Sequence, residues 1–256
     1  MLSSNRRIVV AVDGGIHRTK DGMTGGVGMI VFRLQPVAPK SKRVPVESIS
    51  VRGRYFGPNP KDPITNNKME LIGFSIMATE LVDELWDTEK REWTQPVGPL
   101  DIEFWSDSQY ALGILFRPDW TAKKNKMLVQ NAKKELEDLA TVTTVSGKFI
   151  RGHKGHFINE FADLVAALSL ERKKDIAHEL LFKDIEDTCL FCDLFPCQGL
   201  DGIGLGLIKK WGDRFKAIQT HGYGPPCANR KEYDAEWTLT KTAVDNAAKD
   251  SAGSRS

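Results

Sequence analysis

The chain has 256 residues, of which 41% are hydrophobic and 27% are charged, and its formal net charge is +2. This balance is typical of a soluble globular protein, and no run of about 20 apolar residues, the length of a membrane-spanning helix, is present. The charge neither requires nor excludes a nucleic-acid partner, because local basic patches decide phosphate binding. The N-terminus lacks the features of a signal peptide, so we expect an intracellular protein, in the cytoplasm or the nucleus, without a membrane partner.

The first part of the chain predicts three strands in an antiparallel meander. Residues 8–12 are apolar on both faces, as in a strand buried inside a sheet, and they end at Asp13. A polar, glycine-bearing loop over 14–26 follows. The next two strands are predicted over 26–34 and, after a basic loop, over 44–55.

Helical periodicity begins at residue 66 and continues to residue 86, with Thr65, Asn66 or Asn67 as the N-cap. The later elements are a strand over 100–106, helices over 108–116 and 126–139, a strand over 143–151 and a helix over 159–171. This order predicts an α/β fold with a five-stranded mixed sheet flanked by helices.

The pattern changes beyond residue 172. Residues 175–187 and 207–218 predict helices, and the small polar residues over 241–256 predict a disordered tail. We therefore divide the chain into a main domain over 1–172, a mainly helical C-terminal extension over 173–240 and a tail over 241–256.

The four cysteines all lie in the last third of the chain. Cys189 and Cys192 have the spacing of a zinc knuckle, and His221 and Cys227 would complete a tetrahedral Zn²⁺ site. Cys197 is a competing ligand. Free cysteines packed as small apolar residues are the alternative to zinc.

Four carboxylates stand where a charge is unfavourable, at the ends of apolar strands or in apolar helices: Asp13, Glu70, Asp107 and Asp163. Burying an unpaired charge costs several kcal/mol unless a cation or hydrogen bonds compensate. Hard oxygen ligands suit Mg²⁺ or Mn²⁺. Alone, each acid is more simply a helix cap or a surface charge; together, the four predict a metal site for phosphodiester chemistry.

Each of these acids lies in a motif: DGG at Asp13, TNNKMEL at Glu70, SDSQYA at Asp107 and GHKGHFINEFAD at Asp163. In this order the motifs resemble type 1 ribonuclease H, of the RNase H-like superfamily, over residues 8–170. The resemblance implies an RNase H-like fold and a catalytic role for the domain over 1–172. The implied activity is a metal-dependent endoribonuclease that cuts the RNA strand of an RNA/DNA hybrid and leaves 5′-phosphate and 3′-hydroxyl ends.

The resemblance also implies roles for single residues. By position in the motifs, Asp13, Glu70, Asp107 and Asp163 would bind two Mg²⁺ ions, with Mn²⁺ as the alternative ion. His153 would be the mobile histidine that assists proton transfer or product release.

Three polar residues match family positions that contact the substrate. Asn66 and Gln109 correspond to contacts with the hybrid, and Thr65 to a phosphate contact. RNA is distinguished from DNA through its 2′-hydroxyls, which suits short polar side chains beside the site. Helix capping is the structural alternative for Thr65 and Asn66, and the two roles are compatible.

The alternative function is a catalytically silent RNase H-like nucleic-acid-binding or assembly module derived from a retroelement. Another enzyme on the same fold, such as a transposase or an exonuclease, fits TNNKMEL and the spacing from His153 to Asp163 less well. The sequence leaves the oligomeric state open.

Overall fold

The computed structural model describes residues 6–34, 46–87, 89–90, 92–93, 100–152, 157–181 and 237–241. The elements in these residues are, in chain order, β1 (Arg6–Thr19), β2 (Gly22–Leu34), β3 (Val46–Phe56), α1 (Asn66–Leu85), β4 (Trp86–Asp87), β5 (Glu92–Trp93), β6 (Leu100–Ser106), α2 (Gln109–Phe116), α3 (Lys126–Leu139), β7 (Thr144–Phe149), α4 (Phe157–Arg172), β8 (Ile176–Leu181) and β9 (Trp237–Lys241).

Seven of the described strands form one sheet in the order β8-β3-β2-β1-β6-β7-β9. Strands β1, β6 and β7 are parallel, and every other neighbouring pair in this sheet is antiparallel. The predicted mixed sheet with flanking helices is therefore confirmed. The five strands predicted for residues 1–172 are all in this sheet, as β1, β2, β3, β6 and β7. Two further strands from beyond Arg172, β8 and β9, pair with β3 and β7, so the extension that was predicted to be mainly helical contributes strands to the sheet.

The first hairpin differs from the sequence prediction. The sequence predicts a loop over 14–26, whereas β1 continues to Thr19 and β2 begins at Gly22. Gly22 has a φ of +130°, a conformation that favours glycine, and it closes a tight turn. The polar side chains that suggested a loop, His17 and Arg18 among them, are exposed on this paired hairpin.

Helices pack on both faces of the sheet. On one face, Val10 and Val12 of β1 lie in the main apolar core with residues of α1, α2 and α3. Phe74 of α1 stacks on Phe104 of β6 at 5.5 Å between ring centroids. On the other face, α4 lies on β1, β2 and β3. Because strand side chains alternate, Asp13 points to the α4 face while Val12 points to α1.

The start of α1 agrees with the prediction and decides which of the three candidate residues is its N-cap. Thr65 is the N-cap of α1, since its Oγ1 accepts a hydrogen bond from the Lys68 N–H at 3.3 Å. Ser108 caps α2 in the same way, accepting from the Ala111 N–H at 3.1 Å. Both caps direct the first turn of a helix to the end of the sheet where β6 stops.

The prediction of a helix over 175–187 is wrong for Ile176–Leu181, which is the strand β8. The chain leaves α4 through Lys173, whose φ of 52° is left-handed, and then pairs with β3. The predicted helix over 207–218 and the predicted tail beyond Lys241 lie outside the described residues. Among the described helices, none has the length and apolar character needed to cross a membrane.

Candidate functional site

Three of the four predicted acids meet at one end of the sheet. Asp13 lies in β1 just beyond Ala11, the last β1 residue that pairs with β6. Asp107 directly follows β6, and Glu70 lies in the second turn of α1. One carboxylate oxygen from each of the three lies within 4.8 Å of the others. The fold therefore builds an acidic cluster from three elements that are far apart in sequence.

The cluster is buried, and this shifts its proton affinity. The side chains of Asp13 and Glu70 belong to residues that are 7% and 2% exposed. The pKa of Asp13 is raised to about 8, mainly by burial and to a smaller extent by the negative charges of Asp107 and Asp163. The pKa of Glu70 is raised well above its ordinary value, mainly by burial and to a smaller extent by the charges of Asp13 and Asp107. A bound cation would reverse this by favouring the charged carboxylates.

Uncharged groups from neighbouring residues support the carboxylates. The Gly14 backbone N–H is hydrogen-bonded to both Asp13 and Glu70 and works against the rise of each pKa. The Ser106 hydroxyl donates to Glu70 Oε2 at 3.4 Å and accepts from the Ser108 N–H at 3.1 Å. These groups fix the orientation of Glu70 toward the end of β6.

Asn159 is a site residue that the sequence reasoning missed. Its Nδ2 donates to Asp13 Oδ2 at 3.5 Å and to Asp107 Oδ2 at 3.3 Å. A signal for it was available, because Asn159 precedes Asp163 by four residues and the two therefore share one face of α4.

Asp163 borders the cluster from the α4 side. Its negative charge contributes to the raised pKa of Asp13. Among the described residues, it is not one of the three acids whose oxygens lie within 4.8 Å of one another. Asp163 is also partly exposed, unlike Asp13 and Glu70.

The predicted substrate contacts lie at two helix starts. Thr65 and Asn66 are exposed at the N-terminus of α1, one turn before Glu70. Gln109 is exposed as the first residue of α2, two residues after Asp107. Helix N-termini present free N–H groups and the positive end of the helix dipole, which suits phosphate groups.

The loop after β7 reaches the cluster through Gly152. A β-carbon at Gly152 would overlap the Asp107 carboxylate, so only a glycine backbone fits there without displacement. His153 follows immediately in sequence but lies outside the described residues, as do the candidate zinc ligands Cys189, Cys192, His221 and Cys227.

The donor atoms of the acidic cluster fit a divalent cation. The cluster offers only carboxylate oxygens from Asp13, Glu70 and Asp107, the ligands that hard ions prefer. Without a cation, three carboxylates this close repel one another or retain protons. The buried acidic group therefore points to divalent metal binding.

Comparison with known proteins shows the family to which this chain belongs. The RNase H family model matches residues 5–171. A ribonuclease H of Legionella pneumophila (strain Lens) is 31% identical over 116 residues, which cover 42% of this chain and 70% of that protein. A ribonuclease H of Halorhodospira halophila (strain DSM 244 / SL1) is 33% identical over 119 residues, covering 43% of this chain and 68% of that protein.

A solved structure shares the fold. LC9-RNase H1, described as a type 1 RNase H with the type 2 active-site motif, superposes with a TM-score of 0.51. Its sequence identity is 16%, and the match covers 94% of this chain and 96% of that one.

Proposed function

Because this chain belongs to the RNase H family and is a ribonuclease H enzyme, we propose that it hydrolyses the RNA strand of RNA/DNA hybrids with two Mg²⁺ ions. The products would carry 5′-phosphate and 3′-hydroxyl ends. The observation that supports this proposal is the acidic cluster of Asp13, Glu70 and Asp107, with oxygens within 4.8 Å of one another. Mn²⁺ is the alternative ion.

In this proposal the ions supply the chemistry, and the residues hold the ions in place. Two bound divalent ions supply an activated water for attack on phosphorus and a counter-charge for the leaving oxygen. Asp13, Glu70 and Asp107 would hold ions through their carboxylates, and Asp163 would be the fourth ligand. Since the pKa of Asp13 is about 8 without an ion, binding would release protons near neutral pH.

The substrate would bind along the two helix starts beside the cluster. Asn66 and Gln109 each carry an amide that both donates and accepts, as recognition of a 2′-hydroxyl requires. Thr65, at the N-terminus of α1, is assigned to a phosphate. His153 is assigned to proton transfer or product release by its position in the GHKGHFINEFAD motif.

The test is cleavage of a labelled hybrid by the full chain, with and without Mg²⁺. Asp107→Asn should abolish cutting, whereas Asp83→Asn should leave it unchanged. Asp83 is a matched control, because it is exposed on α1 about 20 Å along the helix axis from Glu70. Hybrid binding without turnover at any divalent ion concentration would contradict the proposal and favour the silent binding module.

The proposed C-terminal Zn²⁺ site needs a separate measurement. If Cys189, Cys192, His221 and Cys227 form a tetrahedral site, the purified protein should contain one zinc per chain. Substituting Cys192 by Ser should then remove the zinc. Absence of zinc from the full chain would leave these cysteines as thiols.

A further inference from the structure

The side chain of Asn159 connects two carboxylates that come from different elements. Its Nδ2 hydrogen-bonds to Asp13, 146 residues away in sequence, at 3.5 Å, and to Asp107, 52 residues away, at 3.3 Å. An amide nitrogen has two hydrogens, so one can serve each carboxylate. Although Asn159 lies near the start of α4, these bonds go to β1 and to the residue after β6. The side chain therefore does more than support its own helix.

The orientation of the amide follows from its partners. With Nδ2 donating to Asp13 Oδ2 and to Asp107 Oδ2, the amide oxygen of Asn159 faces away from both of these oxygens. Asn159 is 1% exposed, and its Oδ1 has no hydrogen-bond partner in the part of the chain that the structure describes. A buried amide oxygen of this kind can accept a hydrogen bond from a donor such as water.

We propose that Asn159 is a positioning residue for the metal centre: its amide holds the carboxylates of Asp13 and Asp107 at a fixed separation, ready for a divalent ion. This inference rests on the proposed function. The amide hydrogens link Oδ2 of Asp13 to Oδ2 of Asp107 through one side chain, and they offer each acid a hydrogen bond when it is ionised. Substituting a residue that hydrogen-bonds to metal-binding side chains typically lowers metal affinity or activity by about 10–100-fold.

The experiment measures divalent ion binding directly, in addition to activity. Mn²⁺ is titrated calorimetrically into the full chain without hybrid, for the unaltered protein, Asn159→Ala and Asn159→Leu. Leu has the same branching at Cγ as Asn, with methyl groups in place of the amide oxygen and nitrogen. Both variants should bind Mn²⁺ about 10–100-fold more weakly. Their kcat for hybrid cleavage should fall. Their KM for the hybrid should stay within about twofold, because the residues proposed to bind the hybrid, Thr65, Asn66 and Gln109, are unchanged.

Ser169→Ala is the matched control on the same helix. Ser169 is fully buried in α4, and its hydroxyl donates to the Val165 carbonyl oxygen at 3.1 Å, within the helix. This variant should perturb α4 without changing Mn²⁺ affinity. If Ser169→Ala weakens Mn²⁺ binding as much as Asn159→Leu does, general loosening of α4 is the cause and the inference is wrong.

A third variant covers the case in which Asn159→Ala and Asn159→Leu do not fold. Asn159→Gln retains the amide on a longer side chain and should keep more of the Mn²⁺ affinity than either. Unchanged Mn²⁺ affinity in a folded Asn159→Leu protein, or an Asn159→Gln protein no better than Asn159→Leu, would overturn the inference and leave the proposed function intact. If the unaltered protein binds no divalent ion, the proposed function itself fails.

Discussion

The backbone of Gly28 in β2 lies against the carbonyl oxygen of Ala162 in α4, in a space that a β-carbon would overlap. Gly28 is also the cross-strand neighbour of Asp13 in β1. The close approach of α4 at this point of the sheet brings Asn159 within hydrogen-bonding distance of Asp13. The geometry of the acidic cluster therefore depends on a residue without a side chain.

Gly28→Ala should destabilise the protein and reduce cleavage. The added methyl group must push α4 away from the sheet, and overpacking of this kind costs about 1–3 kcal/mol. Urea denaturation measures the free energy of unfolding. The rate of hybrid cleavage reports whether the displacement of Asn159 and Asp163 impairs the site. The control is Gly57→Ala, where the nearest atom to a β-carbon is Tyr55 Cε1 at 4.0 Å. Equal effects of the two substitutions would contradict the close packing of α4.

The stability of the ion-free protein should fall as the pH rises from about 4 to about 8. The pKa of Asp13 is raised from 3.8 to about 8, so in this range the folded protein binds a proton that the unfolded chain does not. Its contribution is full below about pH 4 and lost as the pH passes about 8. Urea denaturation in EDTA at several pH values measures the slope, and saturating Mg²⁺ should reduce it. Asp13→Asn should reduce the slope, and the remainder comes from Glu70, whose pKa is also raised. An unchanged slope would assign all of it to groups other than Asp13.

Glu70→Gln should stabilise the ion-free protein at pH 8 and abolish cleavage. Glu70 is 2% exposed, so replacing its carboxylate by a neutral amide removes the cost of burying a charge beside two others. Thermal unfolding in EDTA and cleavage of a labelled hybrid provide the two measurements. Asp83→Asn, on the exposed face of the same helix, should change neither. A less stable Glu70→Gln protein would mean that the carboxylate is held by compensating contacts rather than destabilised.

A second buried carboxylate, Glu103 in β6, behaves in the opposite way. Arg7 Nη2 donates to both of its oxygens at 2.8 Å, and Lys148 Nζ lies 2.9 Å from Oε2. Burial raises the pKa of Glu103, but the charges of Arg7 and Lys148 outweigh burial and lower it overall. This carboxylate already has its cations, so it is a structural group rather than a metal ligand.

Arg7→Met should therefore destabilise the fold by about 1–3 kcal/mol, the usual worth of hydrogen bonds to a charged group. Glu103→Gln should cost much less in the Arg7→Met background than in the unaltered protein, because the carboxylate has already lost its main partner. Chemical denaturation of both single variants and the double variant gives the coupling energy. Additive effects would show that the two side chains act independently.

The sequence was sufficient for the elements that local patterns determine. The helix α1 and the strand β6 were predicted within one residue, because apolar periodicity and the N-cap Thr65 are local signals. Asp13 and Asp107 were found because each directly follows a run of apolar residues, although Asp13 lies within β1 and only Asp107 stands after its strand. The clustering of three of them follows from the parallel pairing of β1 with β6.

Non-local contacts explain what the sequence did not predict. Ile176–Leu181 is a strand because it pairs with the edge of β3. A segment of six residues, both polar and apolar, does not reveal a pairing partner so far away in sequence. The extended hairpin around Gly22 depends similarly on pairing across β1 and β2. Asn159 could be placed on the face of Asp163, but its bonds to Asp13 and Asp107 required the packing of α4 on the sheet.

The position of β9 has a practical consequence. Trp237 pairs with Phe149, and Phe149 pairs with Ser106, the residue before Asp107. Neighbouring strands are about 4.8 Å apart, so the backbone of β9 begins about 10 Å from that of Ser106. A group attached to the chain at position 237 would thus be held close to the acidic cluster. In a chain whose four native cysteines are replaced by Ser, a fluorophore attached there through Trp237→Cys should be quenched by Mn²⁺ and would report ion occupancy in real time, without any turnover of substrate.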